Sequence, residues 1–142
     1  MKQWLKLLFV AAGIGVLFAA AVSGEEKAQQ EKVFRAIIDP DGVQRVDVLG
    51  GSYFFSPRHI IVKVNTPVEL RVRKEPGIIP HDIAIKAPEA GIDFEVSLET
   101  EPKVIRFTPT KTGSYPFYCT KKLLFFESHR KKGMEGVLEV IP

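Results

Sequence analysis

The chain has 142 residues, 45% hydrophobic and 26% charged, with 20 Lys and Arg against 17 Asp and Glu. Setting aside Lys2 and Lys6 at the N-terminus reduces the formal excess from +3 to +1 (18 against 17), which excludes the broad basic face that a nucleic-acid binder needs. A single cysteine, Cys119, excludes an internal disulfide.

In chain order, the first segment reads "MKQWLKLLFVAAGIGVLFAAAVSG". Lys2 and Lys6 form a positive start, Leu7 to Phe18 an apolar core, and Ala19 to Ala21 a small-residue cleavage region. Residues 1–24 are therefore expected to be a secretory signal peptide, cut between Ala21 and Gly24, with an uncleaved membrane anchor as the alternative. Either way the rest of the chain faces a periplasmic or other extracytoplasmic compartment. Residues 25–32, "EEKAQQEK", are charged and without apolar pattern, as in a flexible linker.

From Val33 onward, short β-branched and aromatic runs follow one another: "VFRAII", "VQRVDVLG", "SYFF", "HIIVKV", "VELRVRK", "HDIAIKA", "DFEVSL", "KVIRFTP", "GSYPFYC" and "VLEVIP". Turn signals separate them, among them Asp39-Pro40-Asp41-Gly42, Asn65-Thr66-Pro67, Glu75-Pro76-Gly77 and Lys111-Thr112-Gly113. In "VELRVRK", Val68, Leu70 and Val72 face one way while Glu69, Arg71 and Arg73 face the other. This spacing predicts one all-β domain over residues 33–142, a sandwich or small barrel. Only the segment after Cys119 leaves room for a helix.

The chemistry concentrates near the C-terminal end. Oxidising compartments disfavour idle thiols, so the lone Cys119 reads as a ligand, an intermolecular partner or a free thiol, with a buried inert cysteine as the bland alternative. His81 opens "HDIAIKA", His129 follows Cys119, and Met134 precedes the last run. Two imidazoles, a thiolate and a thioether are the set that selects copper, His₂Cys in a trigonal plane with a weak axial Met. His59 has no such neighbours and reads as structural.

The pattern Gly113, Tyr115, Phe117, Cys119, His129 and Met134, with His81 upstream, resembles the cupredoxins over roughly residues 43–142. The resemblance implies a Greek-key β-sandwich or barrel of the cupredoxin type. It also implies one copper ion cycling between Cu(I) and Cu(II), with His81, Cys119 and His129 equatorial and Met134 axial. Two features depart from the family pattern. Nine residues separate Cys119 from His129, a longer loop than usual. Asp82 stands where the family commonly has Asn; a hydrogen bond from the Thr120 hydroxyl to Asp82 would still tie the two ligand loops together. The binuclear centre of cytochrome oxidase subunit II needs two bridging cysteines, so one Cys rules it out within this chain.

The implied function is an exported one-electron carrier between redox protein partners, such as cytochromes or a membrane oxidase, and not an enzyme. A copper-binding module for resistance, storage or delivery uses the same residues without redox turnover, and a metal-free cupredoxin-like domain is the third possibility. The membrane is a partner only if the N-terminal segment stays uncleaved. Leu123 to Phe126 either close the barrel end or form an exposed patch beside His129. In the second case Lys121, Lys122, Arg130, Lys131 and Lys132 would steer an acidic-rimmed partner.

Overall fold

Alternating burial, strand by strand, divides the chain into two packed sheets. The computed structural model describes residues 33–142, so the expected signal peptide and linker lie outside the described residues. The strands are β1 (Val33–Arg35), β2 (Gln44–Gly51), β3 (Phe54–Ser56), β4 (His59–Lys63), β5 (Val68–Lys74), β6 (Asp82–Ala87), β7 (Ile92–Ser97), β8 (Lys103–Phe107), β9 (Gly113–Tyr118) and β10 (Glu135–Ile141). Each falls within one of the runs read from the sequence or overlaps it closely. Among the described residues there is no α-helix, and the segment after Cys119 forms turns. The one helical element is a 3₁₀ turn, Pro88–Ala90. No helix among these residues is long and apolar enough to cross a membrane.

One sheet has the order β1-β4-β10-β9-β6-β7, the other β3-β2-β5-β8. The chain changes sheets between β1 and β2, β3 and β4, β4 and β5, β5 and β6, β7 and β8, and β8 and β9. These crossings explain the parallel pairs β1–β4, β4–β10 and β2–β5, because parallel neighbours need a connection longer than a hairpin. Val46 and Val48 of β2, Val68, Leu70 and Val72 of β5, and Ile83 and Ile85 of β6 meet Phe117, Leu138 and Val140 in the core. Burying each such side chain contributes about 1.5–3 kcal/mol. The fold is an all-β sandwich, as the alternation in the sequence required.

Two polar groups lock the frame. Gln44 is fully buried on β2, donating its amide to the carbonyls of Lys63 and Thr66 and accepting from the Lys63 N–H at 2.7 Å. The Tyr115 hydroxyl donates to the carbonyl of Lys111 at 2.9 Å, pinning the turn before β9.

Strand direction then decides where the chemistry sits. β9 is antiparallel to both β6 and β10, with Tyr118 opposite Ala84 and Glu135. The start of β6, the end of β9 and the start of β10 therefore share one end of the sheet. His81, Cys119 and Met134 each lie one residue outside one of those three termini.

Candidate metal centre

Strand ends are fixed by their ladders, so residues just beyond them inherit positional precision while escaping the pleat. His81 is held by its carbonyl, which accepts from the Leu98 N–H at 2.9 Å. The Cys119 N–H donates to the Met134 carbonyl (3.1 Å), and the Met134 N–H donates to the His129 carbonyl (3.0 Å). The His129 N–H in turn donates to the Lys121 carbonyl at 2.9 Å. Gly133, at φ +99°, makes the reversal that lets this return happen.

The result is a buried cluster of donors. One nitrogen each from His81 and His129 and the Cys119 sulfur lie within 4.8 Å of one another. The two Nδ1 atoms face each other at 3.1 Å, and His129 Nδ1 is 3.5 Å from Cys119 Sγ. An ion about 2.0 Å from each nitrogen and about 2.3 Å from sulfur, ordinary first-row distances, would subtend angles of roughly 100° and 110° at these spacings. The donor set thus fits a copper ion in chemistry, and these two separations are ones that a single ion can bridge. Met134 is fully buried in the same cluster of core residues as Cys119, and its backbone bonds to both Cys119 and His129.

Burial sets the protonation. Desolvation, reinforced by the neighbouring His129, holds His81 below the ordinary imidazole value of 6.5. Desolvation and then Lys132 do the same to His129. The Cys119 thiol is pushed above 9.0, again chiefly by burial. At neutral pH the imidazoles are neutral, the form that ligates metal, and the thiol gives up its proton when an ion binds.

Asp82 braces the site from behind. Its buried carboxylate accepts from the Thr120 N–H at 2.6 Å and from the Thr120 hydroxyl, and Lys121 Nζ lies 3.5 Å away. The Asp82 N–H points at Cys119 Sγ, 3.5 Å distant. The loop before β6 and the loop after β9 are therefore tied together through one side chain, as the sequence suggested.

His59 lies apart from this cluster. Its Nε2 is 2.7 Å from the Glu139 carboxylate, bridging β4 and β10. Three residues that sequence reasoning passed over also shape the site. Tyr53, in the turn between β2 and β3, has φ +64° and sets its ring edge-on to His129 (centroids 5.0 Å) and His81 (6.3 Å). Gly50 leaves room for Leu98 and Met134, since a Cβ there would stand 2.7 Å from Leu98 Cδ1 and 3.3 Å from the Met134 methyl. Gly136 lets Phe117 and the Arg58 carbonyl close over the start of β10. A tyrosine after the turn-forming run Gly50-Gly51-Ser52 was a faint signal for the first of these.

No family model matches the chain, and no curated protein matches it in sequence. Solved structures do resemble it. The metal binding domain of the Cu(I) exporting P-type ATPase CopA of Streptococcus pneumoniae D39, with Cu(I), is 22% identical, covering 79% of this chain and 98% of its own, with a TM-score of 0.59. Auracyanin A, a "blue" copper protein from Chloroflexus aurantiacus, is 19% identical over 70% of this chain and 100% of its own, with a TM-score of 0.52. The chain has the cupredoxin fold. The periplasmic domain of subunit II of cytochrome oxidase from Bradyrhizobium japonicum shares this cupredoxin architecture at 14% identity, covering 78% and 88% of the two chains, with a TM-score of 0.51.

Proposed function

We propose that this cupredoxin is an exported mononuclear copper protein that carries one electron at a time between redox partners. His81 Nδ1, His129 Nδ1 and Cys119 Sγ would hold the ion, with the Met134 thioether as a weaker fourth donor. The observation that carries this is the convergence of two imidazole nitrogens and one thiol sulfur, all buried, within 4.8 Å. When bound, copper supplies a one-electron couple between Cu(I) and Cu(II) with which this mixed donor set is compatible.

The chain's own residues do the rest. The backbone bonds among Lys121, His129, Met134 and Cys119 hold the donors in place, so a change of oxidation state demands little rearrangement. Tyr53 packs beside both imidazoles and limits water at the site. Asp82 fixes the Cys119 side through Thr120. His129 borders a surface cleft of about 180 Å³, shared with Tyr53, Leu123, Phe126, Glu127 and Lys132, so its ring offers a route from the cluster to a partner seated there. A mononuclear site of this kind suits a one-electron carrier. The leader-like start supports an extracytoplasmic location, and cytochromes or a membrane oxidase are fitting partners.

The similarity to a Cu(I)-bound domain of a copper exporter favours a second reading, copper delivery without redox turnover. Voltammetry of the copper-loaded protein separates the two. A reversible one-electron couple with rapid exchange supports the carrier; tight Cu(I) binding with sluggish reoxidation supports delivery.

A further inference from the structure

Cores normally absorb large apolar side chains, yet the loop between Cys119 and His129 holds four of them outward. Its base is clamped by a bridge between Lys122 and Ser128 and by the bond from the His129 N–H to the Lys121 carbonyl. Its tip is a tight turn closed by the Phe126 N–H donating to the Leu123 carbonyl at 2.9 Å. Leu124 takes φ +45° there, a conformation that costs a branched side chain energy. Phe125 is 99% exposed and Leu124 78%. A strained turn that leaves an aromatic ring bare on all sides gains nothing within the chain.

The charges lie below this tip, on both arms of the loop. Lys121, Lys122, Arg130, Lys131 and Lys132 face a single carboxylate of the same segment, Glu127. Lys121 leans on Asp82, Arg130 pairs with Glu135, and the Lys132 ammonium sits over the Tyr53 ring. Lys122 and Lys131 make no ion pair among the described residues. A second apolar point lies at the same end of the sandwich. The loop between β5 and β6 exposes Ile78 almost completely (97%), and Lys74 Nζ donates to the Gly77 carbonyl within that loop.

The geometry points to an anionic lipid surface as what receives Leu124, Phe125 and Ile78, none of which lines the His129 cleft that a redox partner would use. Apolar groups at the apex and cations a few residues behind them match the order of acyl boundary and phosphate in a bilayer interface. Two convex points on separate loops suit a medium that flows around them. A protein interface of closely fitted packing would need two matching hollows. None of this depends on copper, so apo and loaded protein should behave alike.

The test places a tryptophan at the tip of the full chain, Phe125→Trp, in a Trp4→Phe background that removes the only other tryptophan. Leu124→Trp serves as a second reporter, and the far-UV circular dichroism of each variant must match the parent. Vesicles of phosphatidylcholine with about a third phosphatidylglycerol should shift the emission to the blue, and brominated acyl chains should quench it. The signal should vanish at about 1 M NaCl, where the screening length is roughly 3 Å. Lys122→Gln with Lys131→Gln should weaken association about thirtyfold, each cation near an anionic surface contributing roughly fivefold. No blue shift, an equal shift with phosphatidylcholine alone, or a shift without acyl-chain quenching would each overturn the assignment. So would an equal response to soluble polyglutamate, which would point to an acidic protein surface instead.

Discussion

Replacing Asp82 with Ala removes the brace between the two ligand loops without touching a candidate ligand. The carboxylate is 1% exposed and accepts two hydrogen bonds from Thr120. Hydrogen bonds to charged groups contribute about 1.5–3 kcal/mol each. The Lys121 ion pair is discounted, because that ammonium is more than a third exposed (38%). Thr120 is itself exposed, so its freed donors can find water, and removing a buried charge recovers some desolvation cost. The lower end of the range applies, about 3 kcal/mol for the two bonds. With an unfolding entropy of roughly 2.1 cal/mol/K per residue over about 110 residues, the melting temperature of the apo protein should fall by about 13 °C. Asp82→Asn keeps the shape: its amide oxygen can accept from the Thr120 N–H and its NH₂ can donate to the hydroxyl. It should cost no more than about 1 kcal/mol, or about 4 °C. Differential scanning calorimetry on the two variants decides the matter. An Ala variant melting within about 3 °C of wild type, or an Asn variant as damaged as Ala, would refute the brace. In copper-loaded protein Asp82→Asn should raise the reduction potential, because a carboxylate favours the more positive oxidised state; an unchanged or lower potential contradicts that.

Gly136→Ala should be among the most damaging single substitutions, since its Cβ would stand 2.4 Å from the Arg58 carbonyl oxygen, a backbone atom that cannot step aside. A loss of about 3 kcal/mol or more is expected by denaturant titration, against about 1 kcal/mol for Gly42→Ala, where a Cβ meets nothing within 4 Å and only the left-handed φ is strained. The apo protein should be most stable between pH 6.5 and 9.0. Below 6.5 the unfolded chain binds protons that His81 and His129 refuse when folded, so stability falls as pH drops. Above 9.0 the unfolded chain releases the Cys119 proton that the fold retains, so stability falls as pH rises; melting temperatures that are flat or falling from pH 5 to pH 6.5 would contradict the histidine shifts, and ones still climbing above pH 9 would contradict the Cys119 shift. His59→Gln should leave copper stoichiometry and the visible spectrum unchanged, and a changed stoichiometry by elemental analysis would return His59 to the ligand set.

Much of the fold was legible because β-structure writes itself locally. Val68, Leu70 and Val72 are buried between outward Glu69, Arg71 and Arg73, and Asp39 to Gly42 form the turn their residue types demand, with Gly42 at φ +81°. The positions of His81, Cys119 and Met134 were legible for the same reason, each lying one residue beyond a strand end that the alternation located. Tyr53 was not, because its role arises only where the β2–β3 turn meets the β9–β10 loop, elements far apart in sequence. Gly50 and Gly136 were equally silent: what a glycine makes room for depends on the opposing sheet. The run from Leu123 to Phe126 could be read as core or surface from composition alone. Exposure of its tip answers that point, and the expectation of a possible helix after Cys119 gives way to a turn and a bridge.

We propose that Cys119, His81, His129 and Met134 hold one copper ion through a thiolate. The most direct measurement is an optical titration of the apo protein with Cu(II), in parallel with Cys119→Ser. One equivalent should develop an intense visible thiolate-to-copper band that saturates sharply, and Cys119→Ser, still folded, should develop none. A wild type that gives only weak absorption, or a Cys119→Ser variant that retains the intense band, would contradict the assignment of the site.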